Sequence, residues 1–359
     1  MLYMNRRNFF EFATASAILL GVQRGNFLLS KEKESQSFYF PPPLLKKGSK
    51  VVFTAPGSPA NIWEVRNLAS FFVRRGCTVE YGETITKRDK KFRYLSRDDQ
   101  TRAEELMRFF TDPTVNCIVA ARGGYGSIRI LDLLDYDLIR QNPKVFIGFS
   151  DITTLLNAVH KKSGFFTFHG PTGNFSLDSF TANALESMLF ELENKTNNHL
   201  RYKFSKSDIL VNGESSGRLV GGNLSNLVSL LGTEFEFDTN DSILFLEEIS
   251  EPPYKIDRML KQLELAGKFK NCNGVLLGYF GKLDSRRNFY PDYSLTLNEI
   301  FQMYFKKYDF PIIFNIPFGH SSKFLTFPIG AIAKISSKNL EFSVNLYEVL
   351  SDNENVYKK

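Results

Sequence analysis

Phe146-Ile147-Gly148-Phe149-Ser150-Asp151-Ile152-Thr153 reads as an apolar strand that stops, turns tightly and starts a helix at once. Val145 to Phe149 is β-rich, Gly148 permits the turn, and Asp151 to Lys161 follows as a helix. Outward from this stretch the same rhythm recurs. Lys50 to Ala55 is a strand closed by Pro56-Gly57-Ser58-Pro59, and a helical run with Trp63, Val65, Leu68, Phe71 and Phe72 comes after it. Thr78 to Tyr81 is a second strand and Asp98 to Phe110 a second helix. Val115 to Ala120 is a third strand, ending in Arg122-Gly123-Gly124-Tyr125-Gly126. Strands alternating with helices in this way predict a parallel, doubly wound α/β layer.

Past about Phe175 the character changes. A second unit carries Gly221-Gly222-Asn223-Leu224, the strand Ile243 to Leu246, a helix from Tyr254 to Leu265 and the strand Gly274 to Leu277. The expected fold is α/β: a Rossmann-like parallel-sheet domain over residues 50–180 and a smaller mixed α/β domain over 216–350. Residues 181–215, with the polar tract Asn194 to Asn198, are expected to link the two. Residues 26–49, Pro-rich at Pro41-Pro42-Pro43, read as a linker into the first strand. In residues 1–25, Arg6-Arg7 precedes the short apolar stretch Phe12 to Val22, which resembles a twin-arginine export signal. That stretch is too short to span a bilayer comfortably, and no small-x-small cleavage site follows it, so a frayed helix is the alternative. The expectation is an exported, periplasmic protein without a stable membrane span in its mature form, the alternative being a cytoplasmic one.

The composition sets bounds on chemistry. Hydrophobic residues make up 43% and charged residues 23% of the 359, as in a soluble globular protein. A net charge of +6 with no basic stripe among aromatics argues against nucleic-acid binding. Three distant cysteines and four histidines without an HExxH pair argue against a disulfide scaffold and against a zinc peptidase.

Ser150 sits where a nucleophile elbow would hold a hydroxyl out, with following N–H groups near it and the helix N-terminus offering partial positive charge. The same residues also suit a plain helix cap. A serine needs a base. His320, in the turn-like Pro317-Phe318-Gly319-His320-Ser321, is the leading candidate, and His169, before Gly170-Pro171, is its rival. A carboxylate should fix the imidazole tautomer, and Leu246-Glu247-Glu248 ends a strand with two, of which one can face the pocket. The turn Arg122 to Gly126 lacks GxGxxG spacing. Its Gly124 N–H and that of Asp151 are candidates for an oxyanion hole.

Taken in order, these segments resemble the LD-carboxypeptidase family, which includes muramoyltetrapeptide carboxypeptidases and microcin C self-immunity peptidases. The likeness rests on Ala55-Pro56-Gly57-Ser58, Tyr94-Leu95 with Arg102-Ala103-Glu104-Glu105-Leu106, Ala121 to Gly126, Gly148 to Asp151, His169-Gly170-Pro171, Gly221 to Leu224, Leu246-Glu247-Glu248, Pro252 to Arg258, Gly319-His320 and Pro328-Ile329-Gly330. The resemblance implies a triad of Ser150, Glu247 and His320 at the domain junction. It implies cleavage of the L,D-amide bond before the terminal D-Ala of murein tetrapeptides. The serine mechanism that the resemblance implies needs neither metal nor organic cofactor. A cationic group should meet the substrate carboxylate, for which Arg122 is the candidate. The place of His169 before Gly-Pro suggests a turn residue close to the site, supporting it or on the substrate side. A homodimer is also what it suggests. Alternatives are a related hydrolase of peptidyl-nucleotides or other amides, and a non-catalytic binder of wall peptides. Glu247-Glu248 and Phe327-Pro328 depart from the usual Glu-Asp and Leu-Pro.

Overall fold

Phe327–Ile329, Thr167–His169, Val145–Gly148, Val115–Ala120, Lys50–Thr54 and Thr78–Tyr81 lie side by side, in that order, as the first sheet of the computed structural model. The structure describes residues 39–87, 89, 91–173, 175–191, 198–281 and 295–348, so the arginine pair and apolar stretch of residues 1–25 lie outside it. All pairings in this sheet are parallel except the one between Phe327–Ile329 and Thr167–His169. Helices cover both faces, which is why the central strands read as unbroken apolar runs: Val51, Val52, Phe53, Ile118, Val119, Phe146 and Ile147 have no exposed surface. The helix Ile62–Arg74 opens on a capping box between Asn61 and Glu64, and Asp99–Thr111 opens on Asp98, whose carboxylate accepts from the Thr101 N–H.

The second sheet has the order His199–Lys203, Glu341–Asn345, Ile332–Ser336, Glu214–Asn223, Ser242–Glu247, Cys272–Leu277, Ile312–Ile313 and Ile209–Val211. Its centre, from Glu214–Asn223 to Ile312–Ile313, is parallel, and its flanks are antiparallel. The α/β class and the parallel first sheet are as the strand–helix rhythm predicts.

The stretch 181–215 is more than the expected linker. It holds most of the helix Ser179–Leu189 and the two edge strands of the second sheet. Leu185, Met188, Leu189 and Leu200 are buried, and the local polar tract masks that long-range pairing. Phe327–Ile329 also returns from the C-terminal half to close the edge of the first sheet. One apolar core therefore runs through both lobes, from Phe146 and Ile147 to Leu219, Phe245 and Phe342. The end of the 26–49 stretch packs on it too, with Leu45 fully buried and bridged to Phe190. Among the described residues no helix is long and apolar enough to cross a membrane.

Candidate active site

Val145–Gly148 is buried throughout and runs out at Phe149, which is extended with φ −157°. Ser150 then takes φ 62°, a left-handed conformation that costs a residue other than glycine ~1–3 kcal/mol. The surroundings hold it there. The buried Asp151 carboxylate accepts from the Gly126 N–H at 3.1 Å and the Ser127 N–H at 3.0 Å. The Ser127 hydroxyl donates to the Asp151 carbonyl. Burial pushes the Asp151 carboxyl above its ordinary pKa, against those bonds and the pull of Arg102. A methyl group on Gly123 would stand 2.7 Å from the Ser150 Cβ, so only glycine lets the neighbouring loop pass. Asp151 is thus a brace for the elbow by its side chain, and an open helix-end donor by its N–H.

The Gly-rich turn is fixed from the other side by Ser58. Its hydroxyl accepts from the Tyr125 N–H at 3.0 Å and donates to the Tyr94 carbonyl at 2.9 Å. Gly124, with φ 101°, presses on Ser58, and its N–H has no acceptor among the described residues. Sequence reasoning quoted Ser58 and Tyr94 without giving them a part. Ser58 carries a signal, the Pro-Gly-Ser-Pro turn that closes the strand Lys50–Thr54, whereas Tyr94 lies between two helices and carries none.

In the second lobe the strand Ser242–Glu247 ends in a carboxylate with no exposed surface. Glu247 Oε2 accepts from His320 Nδ1 at 2.7 Å. The ring reaches it because Gly319, at φ 81°, turns the chain so tightly that a Cβ there would meet the same Oε2 at 2.5 Å. Glu248 faces away. It takes the Asn223 side-chain N–H at 3.1 Å, the Ser225 N–H at 2.8 Å and its neighbour's Ile249 N–H at 2.8 Å, while burial pushes its pKa up. One of the two adjacent acids therefore serves the imidazole and the other holds the Asn223 turn.

The two lobes meet tightly beside these groups. The Asn223 N–H donates to Thr153 Oγ1 at 3.0 Å, and the Asn157 amide donates to the Gly221 carbonyl at 3.0 Å. Gly222 lies directly on the Thr153 side chain. Across the seam the His320 ring lies against Phe149, the residue before Ser150, with centroids 4.9 Å apart and the planes tilted by 59°. His320 keeps 17% of its side chain exposed, and Ser150 is half-buried. Among the described residues no hydrogen bond of the Ser150 hydroxyl stands beside these contacts.

Arg122 stands on the rim with 47% of its side chain exposed, 4.0 Å from the Glu64 carboxylate. His169 does not stand at the surface with it. It has no exposed area and is ringed by Phe149, Phe245, Phe318 and Phe324, because its strand pairs on both sides within the core. No substrate group reaches it in this arrangement. Among the described residues no three His, Cys, Asp or Glu side chains gather as metal ligands.

A serine at a strand-to-helix elbow on one lobe and a carboxylate-bound imidazole on the other are the residue types a serine peptidase uses. The comparisons with known proteins agree. The LD-carboxypeptidase N-terminal domain profile matches residues 51–170, and the corresponding C-terminal domain profile matches residues 216–335. A protein of Bacillus subtilis described as a probable murein peptide carboxypeptidase is 35% identical over 302 residues, covering 84% of this chain and 93% of that one. The crystal structure of a muramoyltetrapeptide carboxypeptidase from Oxalobacter formigenes superposes with a TM-score of 0.70 at 28% identity, over 82% of this chain and 98% of the other. An MccF-like protein from Bacillus anthracis superposes with a TM-score of 0.73 at 29% identity, over 85% and 99%. The chain belongs to the LD-carboxypeptidase family.

Proposed function

We propose that the protein is a carboxypeptidase that cleaves the L,D-amide bond before the terminal D-Ala of murein tetrapeptides. The observation that carries this reading is the 2.7 Å bond between Glu247 and His320, whose imidazole packs against the residue next to a strained serine. Ser150 attacks the scissile carbonyl while His320 Nε2 takes its proton. Glu247 holds the Nδ1–H tautomer and steadies the imidazolium. The free N–H groups of Gly124 and Asp151 receive the oxyanion, at ~3–4 kcal/mol per donor. His320 returns the proton to the leaving D-Ala amine, and water then releases the acyl-enzyme. Arg122, half-exposed on the rim, meets the substrate's terminal carboxylate.

Ser150→Ala should fold with an unchanged melting temperature and release no D-Ala from purified tetrapeptide, read by mass spectrometry. Turnover retained by clean S150A protein removes the serine mechanism. Likeness to the MccF-like structure favours a second reading, a hydrolase of peptidyl-nucleotides or other amides, for which an acyl-sulfamoyl adenylate is the probe. Measuring D-Ala release against cleavage of such an adenylate by the same preparation separates the two.

A further inference from the structure

His169 is the one imidazole inside a box of phenyl rings. Its ring centroid lies 6.1 Å from Phe149, 5.2 Å from Phe245, 6.2 Å from Phe318 and 5.5 Å from Phe324. These rings stand one residue before Ser150, two before Glu247, two before His320 and four after it. His169 therefore touches the supporting chain of every member of the proposed triad. A fifth phenyl would fill this space without penalty, whereas an imidazole whose two nitrogens are both buried and unpartnered is costly to keep.

A second orphan lies on the same side. Glu247 Oε1 is buried without a partner, although Oε2 is bound to His320. Alternation along Ser242–Glu247 puts Phe245 and Glu247 on one face, and Phe245 is the ring against which His169 packs. Both orphans also flank one turn, with His169 against Phe318 and Glu247 against Gly319. A carboxylate oxygen can only accept, and a neutral imidazole always has one N–H to give. Resting on the reading of Glu247 and His320 given above, we infer that His169 is a positioning residue whose ring N–H anchors Glu247 Oε1 through one ordered water.

Such an anchor must not titrate. Burial, with a smaller contribution from the charge of His320, pushes His169 down to about 3, so it remains a neutral donor wherever the enzyme works. Glu247 and His320 are the titratable groups beside it, and the four phenyl rings carry no charge.

The test measures the rate at which a fluorophosphonate labels Ser150, across pH, in wild type, His169→Phe and His169→Gln, each with its melting curve. H169F should melt no lower than wild type yet label about tenfold more slowly, the order of one hydrogen bond to a charged group, with a displaced pH midpoint. H169Q, which retains a donor, should stay within about threefold of wild type. H169F labelling at the wild-type rate and midpoint, or H169Q as slow as H169F, overturns the inference. Nitrogen-15 NMR keeps the question decidable if H169F does not fold: the slowly exchanging His169 ring N–H should move in Glu247→Gln, and an unmoved resonance overturns the proposal. If wild type takes no label, the serine mechanism fails, while the NMR contact still stands or falls on its own.

Discussion

The elbow at Ser150 and the turn at His320 hold their functional groups by opposite means. Around the elbow, Asp151, Ser127, Gly126 and Thr154 bond one another across two strand ends, and the strained serine has little freedom. Among the described residues the His320 ring is held by one hydrogen bond to Glu247 and one tilted ring contact with Phe149. The proposed nucleophile thus sits on a rigid lobe and its proposed base on a lightly tethered turn. Damage to the elbow's supports should appear as lost stability, and damage to the supports of the turn as lost rate.

Glu247 and Glu248 give the strongest form of that contrast, because they are adjacent, buried and identical in chemistry. Glu247→Gln can no longer fix the imidazole tautomer, and its kcat should fall by ~10³–10⁴ at a nearly unchanged melting temperature. Glu248→Gln keeps the shape but weakens three bonds to the Asn223 turn. It should cost ~1–3 kcal/mol of stability in urea unfolding and change kcat less than tenfold. Equal effects of the two substitutions on rate would erase the distinction between them.

Glycines sharpen it further. Gly123→Ala forces a Cβ to 2.7 Å from Ser150 Cβ and 3.2 Å from the Phe149 carbonyl, inside a region that cannot give. Unfolding should become easier by ~1–3 kcal/mol, the usual cost of overpacking. Gly319→Ala strains a φ of 81° and drives the methyl at Glu247 Oε2, where the tether can yield. Its main effect should be a ~10–100-fold drop in kcat, from an imidazole displaced by a fraction of an ångström. A stability loss confined to G319A, or a rate loss confined to G123A, would invert the picture of the two lobes.

Much of this was legible in the residues. The strand–helix rhythm from Lys50 to Lys161 carries the parallel sheet, since both faces are covered and the periodicity is strong. Strand alternation separates Glu247 from Glu248 before any coordinates are seen. Other features depend on contacts distant in sequence. Phe327–Ile329 pairing with Thr167–His169, and the edge strands within 181–215, leave no local signature. His169 shows why residue type alone misleads: beside Gly-Pro it suggests a turn at the surface, yet its strand lies between two partners in the core. Asp151 reads as a helix cap, but its carboxylate reaches the loop at Gly126 and Ser127, about 25 residues earlier.

The helix behind the elbow offers a test by pH. His160 is buried on it, with Nδ1 against the Phe165 carbonyl at 3.0 Å and its ring tilted against Tyr39 at 4.3 Å, and burial pushes it down to about 4. The unfolded chain binds this proton near pH 6.5 and the folded one does not, so the stability it contributes is complete above 6.5 and lost as pH falls toward 4. The window corresponds to about 3 kcal/mol. Urea unfolding at pH 7 and pH 4.5 should show a steeper acid loss in wild type than in His160→Gln. Identical slopes would mean that the elbow's support does not depend on a neutral His160.

The smallest effect is expected at the rim. Arg122 follows the strand Val115–Ala120 by two residues, and its only ion pair among the described residues, to Glu64, is long and half in water. Such a pair contributes little to stability, ~0–1 kcal/mol, so Arg122→Gln should melt with wild type. A guanidinium that meets a substrate carboxylate in both ground and transition states supplies uniform binding. Its loss should therefore raise KM by about tenfold and leave kcat nearly intact. A fall in kcat instead would mean that Arg122 acts on the elbow itself, and the rim would then belong to the rigid lobe's machinery rather than to recognition.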